Sequence, residues 1–119
     1  MFDGGHPITM KREDGSEFVR PMITNAKAWG ALGMGLPSRL LHERAQKLPV
    51  FIGASSDISG GRLVALPGGL IIRDSDGTIL GAVGVSGDAS EPDEVCAVEG
   101  VEASAFSVDI GQNPAWRRR

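Results

Sequence analysis

Two histidines, one cysteine, a handful of methionines and several glycine turns are the residues of this chain with chemistry to offer. His6 follows Gly4-Gly5 in a tight turn and is the histidine more open to an approaching ligand. His42 falls on the polar face of a helical pattern. Histidines so placed assemble no nucleophilic triad, which needs a base beside a Ser or Cys and a third group orienting that base. No His, Cys, Asp or Glu group has metal-ligand spacing. Met10, Met22 and Met34 carry thioethers that can hold a soft metal, although core packing is the ordinary use of methionine. Asp74-Ser75-Asp76-Gly77 begins like a calcium loop but lacks the acidic ligand that closes one, so it reads as a turn. Pro67-Gly68-Gly69 and Ser86-Gly87 offer backbone N–H groups to a small anion. Neither matches a phosphate loop or a dinucleotide fingerprint.

The bulk properties bound what these residues can serve. At 119 residues the chain is one domain able to bury a single core. A net charge of −3 argues against nucleic-acid binding, which needs many clustered cations. The basic cluster Arg117-Arg118-Arg119 reads as a solvated tail. A lone cysteine forbids an intramolecular disulfide and suits a reducing, cytoplasmic setting. Its neighbours Val95, Ala97 and Val98 predict a packed thiol. No apolar run approaches the length of a membrane span, so no membrane partner is expected. Glycine is 17 of 119 while Phe and Trp total six, so density must come from close backbone approach rather than large rings.

The elements that must position these residues follow from local pattern. "PITMKRED" reads as a strand leaving the first turn. Pro21 suits the first turn of a helix reaching Met34, with Met22, Ala26, Trp29 and Gly33 on a small apolar face. A second helix, "PSRLLHERAQKL", buries Leu40, Leu41, Ala45 and Leu48. Its wet face pairs Arg39 with Glu43 and Glu43 with Lys47. "VFIGASSDISGG" reads as a short helical turn and a loop, and "RLVALPGG" as a brief extended piece. "LIIRDSDGTILGAVGVSG" predicts a hairpin with Gly77 at the positive-φ position. The glycines of its second arm mark close approach of another backbone. Ser90 and the acids after it start a last helix reaching Phe106 or Val108, with a stripe of Val95, Val98, Val101 and Ala105. Short hairpins beside helices predict an α+β domain over 1–110, with an antiparallel sheet carrying helices on one face and a tail at 111–119.

"NAKAWGALGMGLPSRLLHERA", "SGGRLVALPGGLIIRDSDGTILGAVGVSG" and "PDEVCAVEG" together resemble the GlcG/HbpS-like family. The resemblance implies a profilin-like fold, a homo-oligomer, and haem as ligand, bound and in some members degraded. The leading reading is a non-catalytic holder of haem or another small molecule. Family positions fall here on Lys27 and Ala28, Gly68 and Gly69, Gly81, Gly84, Ser86 and Gly87, and Asp93 with Glu94. The cofactor contacts implied are Lys27, Gly68, Gly69, Ser86 and Gly87. The resemblance assigns no iron ligand to a histidine; if haem binds, His6 is the first and His42 the second candidate for iron. The alternative is an accessory enzyme of small hydroxy-acid or diol metabolism using Lys27 and Ser86-Gly87, or a purely structural subunit. Family members open with a helix and a first strand before the Asp-x-Gly-Gly turn, so Met1-Phe2 is expected as the stub of that strand. The edge left behind is then expected to be covered by a partner subunit, or else to make the isolated chain aggregation-prone.

Overall fold

In a computed structural model the described residues are 4–87, 89–104 and 106–111. The elements run α1 (Arg20–Met34), α2 (Ser38–Lys47), α3 (Pro49–Ile58), β1 (Gly69–Arg73), β2 (Ile79–Gly84), α4 (Ser90–Ala103) and β3 (Ser107–Asp109). This is an α+β fold built on an antiparallel sheet of order β2-β1-β3.

Local chemistry sets several of these boundaries. Pro21 lies in the first turn of α1, where its missing N–H costs nothing. Gly35 ends that helix at φ 69°, and the Leu36 N–H donates to the Ala31 carbonyl at 3.0 Å, which closes the left-handed cap. The hairpin turn is held by Asp74, whose Oδ1 accepts from the N–H groups of Asp76 and Thr78 at 2.9 and 3.0 Å. Gly77 there takes φ 84°, so this loop is turn chemistry, as its composition predicts.

Four expectations give way. "PITMKRED" joins no ladder: residues 7–13 lie outside the sheet, and Ile8 is 70% exposed. A strand pattern without a neighbour to pair with leaves its backbone to water instead. Residues 49–58 form a full helix, because Pro49 starts it directly after α2 with Leu48 as the joint. The last helix stops at Ala103, and 107–109 return as β3 beside β1. Helices cover both faces of the sheet. Gly69 and Gly84 face α1, whereas their neighbours Leu70 and Val83 pack with Ala97 and Val98 of α4. Successive strand residues point to opposite faces, so α1 and α4 sandwich the sheet.

Among the described residues, two apolar clusters result. Leu70, Ala97, Val98 and Ile110 fill the α4 side. Leu41, Ile52 and Leu63 fill the angle between α2 and α3, where Trp29 packs. The buried residues of α1 are Ala26, Lys27, Ala28, Gly30 and Ala31. Met22 is 70% exposed, so this face is rotated from the one the apolar spacing predicts. The sheet meets α1 through glycine. A Cβ on Gly84 would strike the Thr24 carbonyl and lie 3.2 Å from the Ala28 nitrogen. Gly84→Ala is therefore expected to lower stability by about 1–3 kcal/mol, the usual cost of overpacking. Gly87→Ala, with nothing within 4 Å of its Cβ, should leave the urea melt unchanged. Equal melts for the two variants would show that the helix–strand contact is not this close.

Candidate functional site

The centre of the molecule is an ammonium group. Lys27 leaves the buried face of α1 at 2% exposure and donates to the Val85 carbonyl at 2.9 Å and to Asp93 Oδ2 at 3.1 Å. Val85 follows β2, and its own N–H donates to the Gly68 carbonyl at 3.0 Å, continuing the hairpin ladder. One side chain thus ties α1, the exit of β2 and the first turn of α4. Beside it Glu94, fully buried, receives the Arg39 guanidinium of α2 at 2.7 Å. Local spacing pairs Arg39 with Glu43 on its own helix, but the Glu94 carboxylate of α4 takes it instead. The third tie is Ser38, whose Oγ accepts from the Gly69 N–H at 2.7 Å.

A groove of about 1130 Å³ opens above this knot, along the outer edge of β2. One wall is α1, through Arg20, Thr24, Asn25 and Ala28; the other is α4, through Pro92, Asp93 and Cys96. Leu80 to Gly87 form the floor, Phe106 stands at the β3 end, and residues 7–16 lie across the remaining side. The lining is mixed. Ile8, Met10, Leu80, Val83 and Phe106 are apolar, while Lys11, Arg12 and Arg20 are cationic and Glu13, Asp14 and Asp93 acidic. At about 1130 Å³ the groove is somewhat larger than the roughly 300–1,000 Å³ usual for ligand clefts, so it has room for a cofactor-sized molecule.

The residues singled out by sequence fall in three places. Ser86 and Gly87 line the groove. Lys27, Gly68 and Gly69 lie beneath it, packed against one another: a Cβ on Gly68 would sit 2.9 Å from Lys27 Nζ. The two histidines stand apart from the lining. His6 is exposed and directly precedes Pro7 of the groove. His42 is half-buried on α2, its Nδ1–H donating to the Ala65 carbonyl at 3.1 Å and its Nε2 accepting from Gln46 at 3.4 Å. Met1 and Phe2, the expected strand stub, lie outside the described residues, as do Ala105 and the arginine tail. Cys96 is exposed on the groove wall rather than packed, because α4 buries Ala97 and Val98 instead. Among the described residues no group of three or more His, Cys, Asp or Glu gathers to hold a metal, and no helix is long and apolar enough to cross a membrane.

Sequence reasoning missed the Lys27–Asp93 and Arg39–Glu94 pairs. The available signal was two adjacent acids inside an apolar helix stripe, which need cations if the stripe is buried. Removing one partner of such a pair leaves the other charge without compensation, at about 3–5 kcal/mol. Lys27→Met should therefore unfold at markedly lower urea, and combining it with Asp93→Leu should recover part of the loss. A single variant as stable as the parent would show that the pair contributes nothing.

Comparison with known proteins places these features. A family model described as "Haem degrading protein HbpS-like" matches residues 1–102. Among solved structures, the chain is similar to one titled "Crystal Structure of PduOC:Heme Complex". The two superpose with a TM-score of 0.75 at 24% identity, over 93% of this chain and 78% of that one, so they share a fold. No curated protein matches. With most of its length matched by one family model and its fold shared with a solved relative, the chain belongs to the HbpS-like haem-degrading protein family.

Proposed function

We propose that this chain binds haem, or another tetrapyrrole, in the groove beside β2, and acts as a holder rather than as an enzyme on the ring. The observation that carries this reading is the amphipathic lining of a groove of about 1130 Å³, in a chain of a family named for haem. A tetrapyrrole needs an apolar wall for its macrocycle, cations for its propionates and a nitrogen or sulfur donor for its metal. Ile8, Met10, Leu80 and Phe106 offer the first, and Lys11, Arg12 and Arg20 offer the second. His6, one residue from the groove, is the donor we assign to the metal, and His42 is the second choice. Bound haem would supply an iron centre able to take a donor atom from the chain. Asp93 on the wall is held by Lys27, whose ammonium also donates to the Val85 carbonyl. This favours binding over the hydroxy-acid enzyme reading that relied on Lys27.

Haemin titration tests the proposal. A saturable Soret shift at micromolar haemin is expected, with the spectrum altered in His6→Ala and preserved in His42→Ala. No shift in the parent protein would remove the haem reading, and unchanged spectra in both variants would remove the histidine assignment.

A further inference from the structure

Arg20 stands at the start of α1, on the groove wall, with its side chain one-third exposed. Its Nε donates to Glu17 Oε2 at 2.7 Å, and its Nη1 reaches Ser86 Oγ at 3.4 Å. Two of the five guanidinium N–H groups are thereby used. Ser86 is itself held in place, since it follows Val85, whose carbonyl is clamped by Lys27. The guanidinium and the hydroxyl thus form a donor pair on a rigid corner where α1 meets the exit of β2.

The other charges of the groove isolate this corner. Lys11 and Arg12 are followed on the same wall by Glu13 and Asp14, so opposite charges are interleaved there. Asp93 is paired with Lys27, which lies beneath the groove. Arg20 differs: its acidic partner Glu17 is not part of the lining and is 69% exposed. An exposed ion pair of this kind contributes little. A carboxylate entering the groove would meet the same guanidinium between two walls, where a charge-assisted hydrogen bond is stronger than in open water.

Resting on the reading of the groove as a tetrapyrrole site, we infer that Arg20, with Ser86, is the receptor for a ligand carboxylate, and that Glu17 is the internal competitor ligand binding displaces. The groove then has a direction. The acidic edge of the ligand lies at the Arg20–Ser86 corner, and its apolar body extends toward Leu80 and Phe106. The ligand class is a molecule pairing a large apolar face with a free carboxylate, and the site rejects the corresponding ester.

The test compares haemin with haemin dimethyl ester, which keeps the ring and iron but lacks the acid. Each is titrated by Soret absorbance into the parent chain, Arg20→Gln and Glu17→Gln, after circular dichroism shows all three folded. The parent is expected to bind haemin at least about tenfold tighter than the ester, the scale of one charge-assisted hydrogen bond. Arg20→Gln should lose that preference, and Glu17→Gln should bind haemin more tightly while leaving the ester unaffected. Equal binding of acid and ester by the parent would overturn the inference and leave the haem reading standing. A further arm measures thermal stabilisation by lactate against chloride at equal ionic strength. Stabilisation of the parent but not of Arg20→Gln, without any haemin binding, would keep Arg20 as a carboxylate receptor and remove the tetrapyrrole. No Arg20-dependent response to either probe would overturn the inference.

Discussion

A single buried ammonium organises this protein. Lys27 sits in an apolar helix face and must find acceptors there, because an unpaired charge in that environment is too costly to keep. It finds the Val85 carbonyl and the Asp93 carboxylate, at 2.9 and 3.1 Å. Both partners lie where the sheet ends, so satisfying one charge settles how far α1 slides along the strands and where α4 begins. A buried ion pair adds little net stability over a well-packed apolar substitute. Its effect is selective: arrangements that separate the two charges are penalised heavily, and the observed one is left.

The glycines make this reach possible. Gly69 and Gly84 form a directly opposed pair on the α1 face of the sheet, and side chains there would collide with the backbone of Lys27 or Thr24. The helix backbone rests almost on the strands, which brings Lys27 past their ends to α4. The Arg39–Glu94 pair repeats the principle one residue later, tying α2 to the same helix. Adjacent acids on α4 thus receive cations from two different helices, and the three helices and the sheet share one junction.

The groove follows from this arrangement. Two helices on opposite faces of a narrow sheet leave a channel along its outer strand, walled by both. Its polar corner and its apolar stretch come from different elements, α1 with the β2 exit on one hand and the β2–β3 end on the other. Rigid elements supply the donors, so a ligand here would meet preset geometry rather than inducing it. The HbpS-like family membership gives that geometry its chemical context.

The sequence by itself determined what short-range chemistry decides. The hairpin around Asp74-Gly77 and the stop at Gly35 depend on neighbours within a few positions, while the apolar edge of Leu41 and the strand glycines could be marked locally as sites where something packs close. The α+β class followed from those elements. The tertiary structure decided the rest, because the deciding partners are far apart along the chain. Lys27 meets Asp93 across 66 positions and Arg39 meets Glu94 across 55. A charge at such a position reads locally as a solvated side chain. The same cause hid β3, whose three residues are a strand only because β1 lies beside them. It also hid the failure of residues 7–13 to pair, and the exposure of Cys96. Periodicity reports which face of an element is apolar, but what covers that face, and where a gap is left for a ligand, is settled by elements the local pattern does not contain.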